Sequence, residues 1–235
     1  MKNLFKISAV LVLFLTASCF MDGVKGNRNV VTQDRKISSD FDAITVSHGI
    51  EVRLTMSDAT SLSLEADENL HDIIITEAED GVLRIYSEEN IWSAKARKVY
   101  LTAENINKIK ATSGSEVISE NTISAGDFDI RVSSGADVRL MLDVGNLSCN
   151  TSSGSDARLK GNAGHFIASS SSGSNIRAKE LTTKTCNAAV SSGADISVNV
   201  TDKLNAAASS GGGIRYSGNP TEVKKSSSSG GSIRG

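Results

Sequence analysis

From residue 112 onward, polar and apolar positions alternate in short runs, and the runs recur. Asp137-Val138-Arg139-Leu140 reads polar, apolar, polar, apolar; Asp156-Ala157-Arg158-Leu159 repeats it, and Glu51-Val52-Arg53-Leu54 carries it near the start. A strict period of two predicts a strand with one buried face. Each run follows a phrase of small residues, such as Ser133-Ser134-Gly135-Ala136, Ser152-Ser153-Gly154-Ser155 and Ser191-Ser192-Gly193-Ala194. The phrase glycines Gly114, Gly135, Gly154, Gly173, Gly193, Gly211 and Gly230 lie 18 to 21 residues apart. A fixed period of this length predicts a solenoid.

Counting from each glycine defines the interior. Three residues after it stand Val52, Val117, Val138, Ala157, Ile176, Ile196, Ile214 and Ile233. Seven before it stand Phe128, Leu147, Phe166, Cys186, Leu204 and Val223, and five before it Ile130, Cys149, Ala168, Ala188 and Ala206. Each coil is therefore expected to carry a strand before the glycine and a strand after it. A shorter third segment, such as Met141 to Asn146, closes the coil. The glycine marks a corner that needs φ > 0 or close backbone approach. The predicted fold is all-β: a right-handed, single-stranded parallel β-helix with coils of about 19–21 residues, its hand taken from the crossover rule. An earlier phrase, Ser47-His48-Gly49-Ile50, lies 65 residues before Gly114. That gap is about three periods, so irregular coils are expected over 55–111 and regular ones over 112–235, roughly nine or ten coils in all.

Composition alone suggests something else. Serine supplies 36 of 235 residues and glycine 20, a mixture typical of flexible linkers. A linker has composition without phase; here the serines recur at fixed offsets from the Val/Ile columns. They suit a narrow interior corner, where stacked hydroxyls can satisfy one another. The charge, 25 Lys+Arg against 27 Asp+Glu, lacks the basic surplus of a nucleic-acid binder. Aromatic residues make up only 4%, which argues against stacking platforms for sugars.

The first 18 residues read as a signal peptide. Lys2 and Lys6 precede an apolar run from Ile7 to Leu15, too short to span a bilayer. Leu15-Thr16-Ala17-Ser18-Cys19 resembles a bacterial lipobox, with Cys19 acylated as the new N-terminus. Residues 19–28 are expected to be a tether and 29–235 the solenoid.

The opening Gly26-Asn27-Arg28-Asn29-Val30, then Arg35-Lys36-Ile37, Phe41-Asp42-Ala43-Ile44 and Gly49-Ile50-Glu51-Val52, resembles a bacterial family, the "putative auto-transporter adhesin, head GIN" domain. The later Ser-Gly-Ser-Asp phrases match it too, so the resemblance covers about residues 29–235. It implies a right-handed parallel β-helix, an envelope location and, by name, adhesion; it carries no catalytic motif. Two positions depart from the pattern. Arg28 replaces the second glycine of the usual Gly-Asn-Gly opening, and His48 stands where a small residue is common.

Candidate chemistry is sparse. Glu51, Glu116, Asp137, Asp156 and Asp195 share one outward column. Arg53, Arg139, Arg158, Arg177, Arg215 and Arg234 share the next. Stacked acids could hold Ca²⁺, but the arginine column neutralises them, and a charge-balanced solvated face is the plain alternative to a ligand face. His48, His71 and His165 lack metal-ligand spacing, and no catalytic or cofactor-binding motif occurs. Cys149 and Cys186 belong to different columns, two coils apart. That is about 9.6 Å along the axis, beyond the roughly 7 Å a disulfide allows between Cα atoms. Trp92, in a loop-like stretch, is either a contact residue or a lid packed over a coil. The last coil ends on an open edge, with Lys224, Lys225 and Arg234 as gatekeepers against aggregation or as part of an end-to-end contact.

The expected protein is an exported, lipid-anchored, outer-membrane module without catalytic centre, cofactor, metal or nucleic-acid partner. It would bind a glycan or protein at the cell surface through Glu51, Arg53, Asp137, Arg139, Asp156, Arg158, Arg177, Asp195, Arg215 and Trp92. The rival readings are a polysaccharide-active β-helix enzyme and a passive spacer or assembly subunit.

Overall fold

The computed structural model describes residues 23–235; Cys19 and the expected signal peptide lie outside them. The first strands are β1 (Val24–Lys25), β2 (Val30–Arg35), β3 (Phe41–Val46), β4 (Glu51–Met56), β5 (Ser61–Asp67), β6 (Ile74–Glu79), β7 (Gly81–Ser87), β8 (Ile91–Ser93), β9 (Arg97–Ala103) and β10 (Lys108–Ala111). Long strands follow: β11 (Glu116–Val132), β12 (Asp137–Thr151), β13 (Asp156–Ser170), β14 (Asn175–Val190) and β15 (Asp195–Ala208). The chain closes with β16 (Gly213–Ser217), β17 (Glu222–Ser227) and β18 (Ser232–Arg234). Among the described residues there is no α-helix, and the stacked parallel coils make a β-solenoid of about seven turns.

Each long strand bends round most of one coil. In β12, Val138, Leu140, Leu142 and Val144 point inward; Gly145 and Asn146 are both exposed and reset the phase; Leu147, Cys149 and Thr151 then point inward again. The expected closing segment is itself laddered, since Met141 pairs with Lys160 and Val144 with Ala163. All three counted columns stack in register. Val52, Val117, Val138, Ala157, Ile176, Ile196, Ile214 and Ile233 lie one above another. The uneven glycine spacing is absorbed where the register slips between Ile118 and Thr122, between Arg158 and Lys160 and between Ala178 and Thr182, with a further slip between Thr183 and Thr185.

The small-residue phrase forms a type I′ turn. Ser134 and Gly135 both have positive φ, 54° and 71°, and Ala136 N–H donates to Ser133 O at 3.2 Å. Turns also bond to one another: Gly135 N–H reaches Ser153 O at 3.0 Å, and Gly154 N–H reaches Ser172 O at 3.1 Å. A Cβ on Gly135 or Gly154 would meet nothing within 4 Å, so φ alone selects glycine there. Behind the turns, buried hydroxyls bond to one another. Thr151 Oγ1 lies 2.8 Å from Ser170 Oγ, which lies 2.9 Å from Ser174 Oγ.

The region before residue 108 departs from expectation. Gly49 and Gly114 lie on adjacent rungs: Gly49 N–H donates to Ser113 O at 2.9 Å, and β4 pairs directly with β11. No irregular coils stack between them. Instead β3 and β4 form a level sandwiched between β10–β11 on one side and β7 and β9 on the other. The chain passes from β4 to the end of the rod and reverses. There β5 runs antiparallel to β9, β2 antiparallel to β5, and β6 antiparallel to β7. These strands cap the rod. The far end, β17 and β18, carries no such cap, and Lys225 folds there over the Tyr216 ring, 4.7 Å from its centre.

One carboxylate fastens the cap. Asp67 is fully buried and accepts N–H bonds from Arg28, Lys95 and Ala96, each at 3.0 Å. Burial pushes its pKa up, but the three donors and the Arg28 charge outweigh that and hold it below the ordinary value. Gly26 packs on the same carboxylate, where a Cβ would lie 2.0 Å from Oδ2. Asn27 and Asn29 both donate to Glu68, at 3.4 and 2.9 Å. The segment expected to be plain tether is thus docked from Val24 onward.

Candidate binding groove

The acidic and arginine columns run where the alternation placed them, on the outward face of the stretch after each turn. Glu51, Glu116, Asp137, Asp156, Asn175 and Asp195 align rung by rung, as do Arg53, Ile118, Arg139, Arg158, Arg177, Ser197 and Arg215. Three arginines, at 139, 158 and 177, therefore occupy consecutive rungs spaced about 4.8 Å apart.

Each guanidinium reaches a carboxylate on its own rung or the one before. Arg139 pairs with Glu116. Asp156 serves two partners, Arg177 at 2.9 Å and Arg158 at 3.4 Å, and Arg215 lies 3.8 Å from Asp195. At Glu116 and Asp156 the two signs differ in height, whereas Asp195 is itself half exposed beside Arg215. The Asp156 side chain is 13% exposed, against 47% for Arg158 and 52% for Arg177. Short carboxylates sit low against the sheet while the longer arginines reach over them. Over the rungs of Arg139, Arg158 and Arg177 the column pair therefore presents cations outward.

Beside the arginine crest runs a groove of about 830 Å³, in which Arg139, Arg158, Arg177, Arg215, Lys160 and Lys179 outnumber the two carboxylates, Glu180 and Asp195. Its lining includes no aromatic side chain and no histidine. Guanidinium and ammonium groups stay charged at neutral pH. They suit bidentate or point-charge binding of carboxylate, sulfate or phosphate.

Other predicted residues fall elsewhere. Glu51 and Arg53 continue the columns but lie outside the groove; Arg53 is held by Glu51 at 2.6 Å and by Glu120 at 3.0 Å. Trp92 does not belong to this face. It lies in β8 at the capped end, 76% exposed, and lids nothing. His48 occupies a positive-φ turn position, His71 binds within the cap to Val31 O and Ala66 O, and His165 contacts Thr185. Cys149 and Cys186 are buried free thiols; burial raises both pKa values, that of Cys186 to about 12. Among the described residues, no three His, Cys, Asp or Glu side chains gather as a metal site.

A family model described as "Putative auto-transporter adhesin, head GIN domain" matches residues 40–220. The chain belongs to that family. Three solved structures share the fold of this head GIN chain. A crystal structure called a putative adhesin, from Bacteroides fragilis, is 24% identical with a TM-score of 0.84, covering 90% of this chain and 99% of its own. Another so named, from Parabacteroides merdae, is 20% identical with a TM-score of 0.73, over 91% and 98%. A third, called a putative lipid binding protein, from Parabacteroides distasonis, is 24% identical with a TM-score of 0.70, over 90% and 98%. At these identities the likeness shows the fold. A search of curated proteins gave no match. No helix among the described residues is long and apolar enough to cross a membrane.

Proposed function

We propose that this head GIN protein is a non-catalytic binding module of the cell envelope, lipid-anchored through Cys19, that holds an extended anionic glycan along the Arg139–Arg215 groove. The observation that carries the reading is the difference in height: arginines on consecutive rungs stand above recessed carboxylates. Permanent cations at a regular spacing favour a polymer that repeats negative charge over one compact ligand. Each contact is weak and solvent-exposed, so affinity comes from several engaged at once. A groove without aromatic side chains favours charged over neutral sugars.

The test is an array of acidic and neutral glycans probed with the wild type and an Arg139→Ala, Arg158→Ala, Arg177→Ala triple variant. Retention of acidic glycans that falls with salt and disappears in the variant is the expected result. Binding to no acidic glycan, or equal binding by the variant, refutes the reading.

A further inference from the structure

Trp92 is the only tryptophan of the chain and stands 76% exposed, outside both core and groove. The start of the described chain lies beside it. Val24 pairs with Ile91 and Lys25 with Ser93. Val24 N–H donates to Asn90 O and Gly26 N–H to Ser93 O, both at 2.8 Å. Gly23 backs so closely on the indole residue that a Cβ there would lie 3.3 Å from Trp92 Cβ. The Asp67 carboxylate then fixes the next turn of chain through Arg28 N–H. Gly23, the first described residue, is therefore held at one defined place, at the capped end and next to Trp92.

Cys19 precedes Gly23 by four residues. Four Cα–Cα steps reach at most about 15 Å. The inference rests on the anchor reading above: with acyl chains on Cys19, the bilayer surface cannot lie farther than that from the Gly23–Trp92 contact. An exposed indole so close to a bilayer has a preferred place, the boundary between headgroups and acyl chains, where its ring is apolar and its N–H stays wet. Exposed Lys25 and Lys95 flank it, and Glu88 and Glu89 are exposed nearby. The mixture suits a zwitterionic surface better than a strongly anionic one.

We propose that the capped end faces the membrane and that Trp92 seats in the lipid interface. The rod then projects outward. On the strand ladder Arg139 stands three rungs beyond β9 and Arg215 seven, so the groove runs from about 14 to about 34 Å above the β9 level. That places it clear of the headgroups and open to a polymer.

Because Trp92 is the sole tryptophan, its fluorescence reads the contact without any substitution. The lipoprotein, purified with its native N-terminus, is reconstituted into phosphatidylethanolamine–phosphatidylcholine vesicles with brominated acyl chains. A blue-shifted emission that the brominated chains quench, both effects missing in the unlipidated Cys19→Ala chain, is expected. Acylated protein whose emission stays solvent-like and unquenched overturns the proposal. Failure of the anchor reading looks different: mass spectrometry finds no acyl chain on the purified protein, and the proposal falls with it. A Trp92→Phe, Tyr216→Trp variant moves the fluorophore to the far end of the rod. Its emission should escape the brominated chains, and quenching there would overturn the orientation.

Discussion

The regular coils and the capped end are built from similar strands but solve different problems. From β11 to β15 each strand pairs with the next one in the chain, about one period away. Every coil sees only its neighbours, so the stack is a one-dimensional array. At the capped end the order is scrambled. Glu51 pairs with Glu116 across 65 residues, and two strands, β5 and β6, run backwards, so that three pairings are antiparallel. The coils show how a repeat propagates; the cap shows how it stops. A parallel stack exposes unpaired N–H and C=O groups at its last rung, a template for further strands. Reversing the chain covers that edge with β2, β5 and β6. The two regions also hold together by different means, apolar columns in the coils and a polar clamp in the cap.

That contrast is open to test, most severely by deletion. Removing Asp156–Ser174 joins Ser155 to Asn175 in the same phase, so a shorter rod should fold with a modestly lower Tm. Removing residues 24–35 strips β2 from β5 and Arg28 from Asp67, and light scattering should detect aggregation. Equal behaviour of the two variants would break the distinction.

Single substitutions come next. Phe166 is almost fully buried in a coil column; Phe166→Ala should cost about 3–5 kcal/mol in denaturant unfolding, from the cavity it leaves. Asp67→Ala leaves three N–H donors without an acceptor and should cost about 3 kcal/mol. The same clamp responds to acid. Because the native pKa of Asp67 is lowered, its stabilisation is complete above the unfolded value, near pH 4. It is lost as the pH falls through the lower native value. Hydrogen exchange should show the Arg28, Lys95 and Ala96 amides opening in acid before those of the coils.

Glycine variants separate dihedral from packing demands. Gly154→Ala should cost about 1–2 kcal/mol because its φ is +71°. Gly145→Ala should be destabilising for another reason: its Cβ would meet Gly126 O at 2.7 Å, whereas Gly126→Ala meets nothing within 4 Å and should change little. The smallest effect belongs to the charged columns. Arg158→Ala should change stability by less than about 1 kcal/mol, since exposed pairs contribute little, and Arg177 still covers Asp156. A larger loss would mean that the columns serve the fold and not a ligand.

Much of the coil region is legible from residue order because its contacts repeat a local pattern. Alternation sets which side chains face inward, and phase relative to the glycine sets which of them stack. A one-residue slip would turn every apolar side chain outward, so the register follows. The glycine corner was readable too, but the turn type was not, since a serine before it does not announce a second positive φ. The cap left one clear signal, the Asp80-Gly81 pair. It makes the two-residue link between β6 and β7 with φ of 51° and 77°, a combination that marks a hairpin and hence a reversal. The partnership of Asp67 left none, because its three donors are backbone amides drawn from segments 28 to 39 residues away.

The sequence by itself determined a parallel solenoid, its interior columns, and the paired acidic and arginine columns outside. These follow from periods of two and about twenty, which local sterics and burial impose on any chain that carries them. Only the tertiary structure decided which rung lies beside which before residue 108, where the rod ends, and which charge stands proud. Those depend on strand partners chosen across long separations and on side-chain reach above the sheet, and neither is written in the alternation of polar and apolar residues.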